Sequence, residues 1–239
     1  MKFKIIRSKF VEGLKSVQNI VASKGSLPVL QNVLLEAKGK ELKMTTTDLD
    51  ISIKTICECE VTEQGVSTLP VKLLFNSVSR AEEGDIEIEI DAKEYASIRA
   101  GSAKYKLAGL PESEFPRLPQ DEDTYSYTIA QQTLREMLRK VAYAASQDDT
   151  RRTLKGVLMS FKEQKLTMVA TDGRRLSCVN KSAVNIPDFT PAIIPTKILS
   201  TVLKHAPEEG NIEIAVIDKS IFVKFGSMEF SSVLIDGQF

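Results

Sequence analysis

The chain has 239 residues, of which 42% are hydrophobic and 27% charged, and its 32 basic side chains balance 32 acidic ones. This composition is typical of a globular protein with a buried core. It excludes a bilayer span, since no apolar run reaches the roughly 20 residues required, and the first residues lack the apolar block of a signal peptide. One histidine and three cysteines are too few for most metal sites. We therefore expect a cytoplasmic protein with reduced thiols, no membrane segment and no metal or other cofactor.

The first half of the chain alternates strand and helix patterns. Residues 2–7 alternate as a strand does, and Ser8 is expected to cap a helix that ends by residue 23. Strands are predicted over residues 29–36, 40–46 and 50–60, a short helix that Pro70 opens and that has ended by Glu83-Gly84, and strands over residues 85–90, 95–100 and 104–107. The predicted order is strand, helix, three strands, helix and three strands.

Residues 111–124 contain three prolines and five acidic side chains, which indicates an extended linker. Beyond it the pattern returns. With an offset of 124 residues, Leu154 matches Leu30, and Thr171 and Asp172 match Thr47 and Asp48. An internal repeat of this length predicts tandem copies of one structural unit. We therefore predict an α+β protein with two domains, residues 1–120 and 121–239, each with two helices on one face of antiparallel sheets.

The four predicted helices carry nine basic and two acidic side chains, although the whole chain is neutral. If the apolar face of each helix packs on a sheet, its basic residues lie on the opposite face. Such a surface suits a polyanion bound through its phosphates, but lysine and arginine also favour exposed helix faces for their helix propensity alone. Both interpretations stay open on charge alone. The nine basic residues are Lys9, Lys15, Lys72, Arg80, Arg135, Arg139, Lys140, Lys197 and Lys204.

No catalytic constellation stands out, because a single histidine disfavours most acid–base and triad arrangements. The segment from Thr171 to Leu176, Thr-Asp-Gly-Arg-Arg-Leu, is more informative. Asp-Gly favours a turn, which alone would explain Asp172 and Gly173. Two arginines and an apolar residue follow near the Leu154 strand, and an apolar surface rimmed by arginines is suited to docking a peptide.

Four segments carry a family resemblance: residues 26–35 (Ser-Leu-Pro-Val-Leu-Gln-Asn-Val-Leu-Leu), 46–49 (Thr-Thr-Asp-Leu), 110–116 (Leu-Pro-Glu-Ser-Glu-Phe-Pro) and 169–176 (Val-Ala-Thr-Asp-Gly-Arg-Arg-Leu). In this order the chain resembles the bacterial DNA polymerase III beta subunit family, the sliding clamps, over its full length. The resemblance implies a non-catalytic ring around duplex DNA, with helices inside and sheets outside. Its DNA contacts would be independent of sequence and sensitive to salt.

The resemblance also implies specific sites. Lys24 and Gln147 match positions that contact DNA in the family, and the basic helix residues would face it. Tyr105 and Leu107 lie on the strand that would meet another subunit in a homo-oligomer. The partners implied are the DNA polymerase III alpha subunit, the clamp loader and repair polymerases, which dock short linear motifs by an aliphatic or aromatic anchor. The positions that match the docking pocket are Leu154, Thr171, Gly173, Arg174, Arg175 and Leu176.

The chain departs from the family in length. Family members usually carry three such domains and dimerise head to tail, whereas this chain carries two, and Leu234–Phe239 matches Leu110–Phe115 at the start of the linker. We expect a two-domain part of a clamp with weak peptide binding. One alternative is a two-domain clamp that closes its ring as a trimer. An enzyme with an active site between repeats, or an interaction scaffold without a DNA role, are alternatives from other classes.

Overall fold

The computed structural model describes residues 1–21, 27–119, 126–148, 150–182, 189–217 and 219–237. The chain divides into two compact units, Met1–Leu118 and Pro119–Phe239. Each unit is built from antiparallel sheets and two α-helices, which confirms the predicted α+β class and the repeat. No helix among the described residues is long and apolar enough to cross a membrane.

The first unit contains two antiparallel sheets. One has the strand order β5-β1-β7-β8-β9 and the other contains β4-β3-β2-β6. The elements are β1 (Lys2–Ile6), α1 (Arg7–Val17), β2 (Asn32–Lys38), β3 (Glu41–Thr47), β4 (Ile51–Glu58), β5 (Glu60–Glu63), β6 (Gly65–Pro70), α2 (Val71–Ser79), β7 (Asp85–Ile90), β8 (Tyr95–Ala100) and β9 (Ala103–Ala108).

The second unit repeats this plan. Its sheets contain β13-β12-β11-β14 and β10-β15-β16-β17. The elements are β10 (Tyr127–Ala130), α3 (Gln131–Val141), β11 (Gly156–Lys162), β12 (Lys165–Thr171), β13 (Leu176–Ser182), β14 (Phe189–Pro195), α4 (Thr196–His205), β15 (Asn211–Ile217), β16 (Ser220–Phe225) and β17 (Met228–Val233).

Each helix packs against both sheets of its own unit. Helix α1 contacts β1 on one side and β3 and β4 on the other, and α3 contacts β10, β12 and β13. The buried face of α1 is Phe10, Gly13, Leu14 and Val17, at the helical spacing of three and four residues. The buried face of α3 follows the same spacing 124 residues later, with Leu134, Met137, Leu138 and Val141.

Two of these four equivalent positions differ between the units, since Phe10 corresponds to Leu134 and Gly13 to Met137. A Cβ on Gly13 would overlap the Met44 Cε atom and lie 2.8 Å from the Cys57 Sγ atom. The absence of a side chain therefore lets α1 approach the sheet, and Met44 fills the space. The equivalent residue of α3, Met137, is fully buried. The two cores are filled by different combinations of side chains on the same backbone plan.

The prediction that Ser8 caps the first helix was wrong. Helix α1 begins at Arg7, and no side chain caps it. The Arg7 amide donates instead to the Gly84 carbonyl oxygen at 2.9 Å, and the Gln131 amide of α3 likewise donates to Gly210 at 2.9 Å. A carbonyl group from a distant loop thus satisfies the first amide of each helix, and α1 ends at Val17, earlier than predicted.

The single strand predicted over residues 50–60 is two strands. The Cys59 amide donates to the Lys40 carbonyl oxygen at 2.8 Å, and the chain then changes sheet, because β4 pairs with β3 whereas β5 pairs with β1. Strand β6, which pairs with β2, was not predicted. In the predicted linker, Phe115 is only 7% exposed, so its first residues pack onto the first unit.

Candidate peptide-docking site and nucleic-acid interface

The Thr-Asp-Gly-Arg-Arg segment is the connection between β12 and β13. The Thr171 hydroxyl donates to the Arg175 carbonyl oxygen at 2.6 Å and accepts the Gly173 amide at 3.1 Å. The Asp172 carboxylate accepts the amides of Arg174 and Arg175 at 2.9 and 3.0 Å. These two backbone hydrogen bonds, more than the Arg175 side chain, lower the pKa of Asp172. Hydrogen bonds of the loop's own threonine and aspartate therefore hold it in its turn conformation.

Arg175 ties this loop to the end of α3. Its Nε atom donates to the Asp172 carboxylate at 3.0 Å, and its Nη2 atom donates to the Tyr143 carbonyl oxygen at 2.8 Å. Its guanidinium carbon also lies 5.5 Å from the centroid of the Tyr143 ring, a cation–π distance. Two residues further along, Ser177 donates from its hydroxyl to the Lys140 carbonyl oxygen at 2.5 Å. The carbonyl groups of Lys140 and Tyr143, at and just beyond the end of α3, thus accept hydrogen bonds from residues 171–176, which we call the docking loop, and from β13.

Leu154 reaches the loop from the opposite side. It lies in a short 3-10 helix, Arg152–Lys155, and its carbonyl oxygen accepts the Ser146 amide at 2.8 Å. A Cβ on Gly173 would stand 3.9 Å from the Leu154 Cδ1 atom and 3.0 Å from Arg151 Nη1. Gly173, with a φ of +84°, therefore leaves room for these two side chains.

The predicted docking residues come together within the second unit, and the apolar ones are accessible. Leu176 is 65% exposed, Leu154 is half-buried, and Arg174 and Arg175 are exposed. A single exposed leucine is ordinary, but apolar surface rimmed by polar residues marks interaction sites. The geometry therefore supports an apolar docking surface with arginines at its rim.

Sequence reasoning missed two residues of this site, Tyr143 and Arg151. Tyr143 is 60% exposed beside Arg175, and Arg151 Nη1 donates to the Asp172 carbonyl oxygen at 3.3 Å. An aromatic residue one turn beyond α3 and a basic pair, Arg151 and Arg152, before Leu154 were visible signals. Their proximity to the loop depended on contacts between segments about 20 to 30 residues apart.

The basic helix residues fall into two groups by what their side chains contact. Within the described parts of the chain, six of them are exposed and have no hydrogen-bond or ion-pair partner for their charged groups. Side chains of this kind are available to phosphates. The six are Lys15, Lys72, Arg80, Arg139, Lys140 and Lys204.

The remaining three are engaged within the protein. Lys9 donates to the Glu58 carboxylate at 2.7 Å. Arg135 is half-buried, and its Nη2 atom donates to the Ala206 carbonyl oxygen just beyond α4 at 3.1 Å, which joins the two helices of the second unit. Lys197 is exposed and makes an interaction of its own. Contact between DNA and any of the nine stays a prediction, and Arg135 is the least accessible of them.

Four further predicted residues lie in other places. Lys24 lies outside the described residues. Gln147 is exposed in the segment after α3. Tyr105 and Leu107 are half-buried on β9, which ends its sheet and has an open edge among the described strands. The edge is therefore geometrically able to pair with a further strand.

No group of three or more histidine, cysteine, aspartate or glutamate side chains is placed to hold a metal ion in the described segments. Cys57, Cys59 and Cys178 are free thiols. Burial raises the pKa of Cys59 to about 11 and also raises that of Cys57, so both stay protonated and weakly nucleophilic near neutral pH.

Comparison with protein families and known proteins agrees with this geometry. Residues 1–119 match the N-terminal domain of the DNA polymerase III beta subunit, and residues 128–239 match its central domain. The beta sliding clamps of Chlamydia muridarum and Treponema pallidum are each 31% identical to the chain, which is matched over its full length. The chain spans 66% and 65% of these two relatives.

Solved structures give the same result. The sliding clamp of Bacillus subtilis superposes with a TM-score of 0.95 at 27% identity, and that of Pseudomonas aeruginosa bound to griselimycin with 0.91 at 30% identity. In both cases all of this chain and 66% of the solved chain are covered. The two matched domains, their order and the shared fold establish that the chain belongs to the DNA polymerase III beta subunit family, of which it contains the N-terminal and central domains.

Proposed function

We propose that the chain supplies two of the domains of a DNA sliding clamp, which encircles duplex DNA and tethers replication proteins without catalysing a reaction. In this role the exposed basic residues of the helices face the phosphates, and the loop between β12 and β13 docks short motifs of partner proteins. The partners we propose are the DNA polymerase III alpha subunit, the clamp loader and repair polymerases. The family membership supports this function over an enzyme or a scaffold without a DNA role.

The observation that carries the peptide-docking part is the exposed Leu176, which follows two exposed arginines, in a loop whose Gly173 lies beside half-buried Leu154. Exposed apolar side chains of this kind gain affinity by burying an aliphatic or aromatic anchor. The arginines add electrostatic attraction for acidic residues that flank the anchor.

Fluorescence anisotropy with a labelled pentapeptide, Gly-Ser-Asp-Leu-Phe, tests this site directly. Leu176→Asp should weaken binding at least tenfold, because it places a carboxylate where the apolar anchor would lie. Leu73→Asp is the matched control, since Leu73 is similarly exposed, at 55%, but lies on α2 of the first unit. Equal affinities for the original chain and the Leu176 variant would rule out this docking site.

The DNA-facing role is tested with a duplex oligonucleotide over a range of salt concentrations. Changing both Arg139 and Lys140 to glutamate should weaken binding and reduce the slope of log affinity against log salt by about 2, one for each lost phosphate contact. The control is the same double charge reversal at Lys162 and Lys165, two exposed lysines that flank the turn between β11 and β12. Identical slopes for the two variants would contradict the assignment of α3 to the DNA-facing surface.

We further propose that the clamp acts in the cytoplasm and that β9, with Tyr105 and Leu107, contributes to a subunit interface. Analytical ultracentrifugation over a range of concentrations distinguishes the possible assemblies. A monomer supports two domains of a larger clamp that lack the surfaces needed to close a ring. A stable trimer has six domains and would support the alternative of a complete two-domain clamp.

A further inference from the structure

The two adjacent arginines of the docking loop differ in what their side chains already bind. Arg175 uses its Nε atom on the Asp172 carboxylate and its Nη2 atom on the Tyr143 carbonyl oxygen, and its guanidinium group lies over the Tyr143 ring. Arg174 is exposed, and its guanidinium group has no hydrogen-bond or ion-pair partner among the residues that the structure describes. A guanidinium group that is already hydrogen-bonded on two sides has few donors left for a ligand.

We infer that Arg175 is a positioning residue, which anchors the docking loop to the end of α3, and that Arg174 is the arginine that binds a carboxylate of the docked peptide. This inference rests on the proposed peptide-docking function. It assigns different roles in that function to two neighbouring side chains. The identity of the ligand group follows from charge, because Arg174 of the loop is exposed and the exposed Arg151 donates to the Asp172 carbonyl oxygen of the same loop.

The anchoring role follows from the geometry of the contacts. The Asp172 carboxylate accepts the Arg175 amide as well as its Nε atom, so loop backbone and side chain share one acceptor. The planar guanidinium fork then reaches Tyr143, which follows α3 in the 3-10 helix Ala142–Ala144. A lysine, with a single ammonium group, cannot hold two acceptors in the directions that this fork spans. Without the fork, the loop that carries Leu176 loses its hydrogen bond to the Tyr143 carbonyl oxygen and keeps the one that Ser177 donates to Lys140.

The recognition role of Arg174 follows from its freedom. Its amide is held by the Asp172 carboxylate at 2.9 Å, which fixes the start of the side chain, whereas the guanidinium group stays in solvent. An exposed ion pair contributes only a little affinity, so Arg174 is expected to adjust peptide preference and not to decide whether a peptide binds.

The test measures the affinities of two labelled peptides, Gly-Ser-Asp-Leu-Phe and Gly-Ser-Asn-Leu-Phe, for the original chain and two variants. The original chain should prefer the aspartate peptide by about threefold, the size expected for one exposed ion pair. Arg174→Gln should abolish this preference and leave the affinity for the asparagine peptide unchanged. Arg175→Lys should weaken both peptides by about tenfold and keep their ratio.

A second comparison tests whether Arg175 and Asp172 position the loop through the same anchor. Asp172→Asn should resemble Arg175→Lys, and the two changes together should weaken binding little more than either alone, because both break the same anchor. Arg174→Gln combined with Arg175→Lys should instead show additive losses for the aspartate peptide. Circular dichroism melting of each variant controls for loss of the fold.

The outcomes separate this inference from the function on which it rests. If neither peptide binds the original chain, the docking function fails. If both bind and Arg175→Lys removes the preference for aspartate while Arg174→Gln does not, the two roles are reversed and the inference is overturned. Additive losses for Asp172→Asn and Arg175→Lys would also overturn the positioning role.

Discussion

The two units contain the same loop with different chemistry. In the first unit Thr47 donates to the Ile51 carbonyl oxygen at 2.9 Å and accepts the Leu49 amide at 3.0 Å. The Asp48 carboxylate accepts the amides of Asp50 and Ile51 at 3.1 and 2.9 Å. This is the hydrogen-bond pattern of Thr171 to Arg175, residue for residue, at an offset of 124.

The side chains that follow the threonine and aspartate make the difference. Ile51 is 1% exposed and belongs to the core of the first unit, whereas its equivalent Arg175 is exposed and bound to the end of α3. Leu49 has a φ of +80° and Gly173 a φ of +84°, so the same backbone conformation holds with and without a side chain. Gly173 is therefore not needed for the turn alone. Its small size leaves space for Arg151 and Leu154.

Threonine and aspartate thus build the loop in both units, and the next three residues decide whether its end is buried in the core or exposed. Because the loop hydrogen bonds are local, the repeat preserves them while burial and charge diverge. Four predictions test which features are common to the two units and which differ. The first concerns the helix core, which is built in the same way in each unit.

The largest effect is expected in the shared helix core. Leu14 is 0% and Leu138 is 2% exposed, at equivalent positions of α1 and α3. Truncation of either to alanine should lower the free energy of unfolding of its own unit by about 3 kcal/mol, through lost apolar burial and the cavity that remains. Native-state hydrogen exchange reports each unit separately. Leu73→Ala, at an exposed position, is the control, and a large difference between the two truncations would show that the cores are not equivalent.

The loop threonines should differ in their contribution to stability. Thr47 is 1% exposed, whereas Thr171 is half-buried. Replacement by valine removes two hydrogen bonds in each case, but those of Thr47 are buried and part-buried, whereas those of Thr171 are exposed. We expect a loss of about 2 kcal/mol for Thr47→Val and about 1 kcal/mol for Thr171→Val, measured by urea denaturation. Equal losses would mean that burial does not distinguish the loops.

Exchange of the residues at positive φ tests the role of Gly173. Leu49→Gly should stabilise the first unit by about 0.5 kcal/mol, since relief of the left-handed strain exceeds the added entropy of the unfolded chain. Gly173→Leu should destabilise the second unit by about 1 kcal/mol and weaken peptide binding, because the new side chain meets Arg151 and Leu154. Unchanged peptide affinity in this variant would contradict the space-leaving role.

The smallest effect is a dependence on pH. Backbone hydrogen bonds from Arg174 and Arg175 lower the pKa of Asp172 in the folded protein. A lowered folded-state pKa means that the carboxylate stabilises the loop above the usual aspartate pKa of about 3.9, and that this contribution disappears as pH falls through the folded-state value. Amide chemical shifts of Gly173 to Leu176 should change in that acidic range. Asp172→Asn should remove this titration, and its persistence there would assign it to another group.

Much of the fold followed from local patterns in the sequence. The spacing of Phe10, Leu14 and Val17 predicted α1, the alternation of residues 85–90 predicted β7, and the offset of 124 residues predicted two units. These patterns are visible because the 3.6-residue and two-residue periods act over a few neighbouring positions. The division of residues 50–60 into two strands was not visible, because it depends on which distant strand each half pairs with.

The docking loop likewise has some features that the sequence predicted and others that depend on distant contacts. By itself the sequence determined the turn, because Thr171 and Asp172 bind amide and carbonyl groups within four residues. Two successive arginines are chemically identical in the sequence. Only the tertiary structure decided that Arg175 is held by Tyr143, 32 residues away, while Arg174 stays in solvent. The physical reason is that such a contact requires the end of α3 and the start of β13 to meet, which the packing of the whole unit brings about.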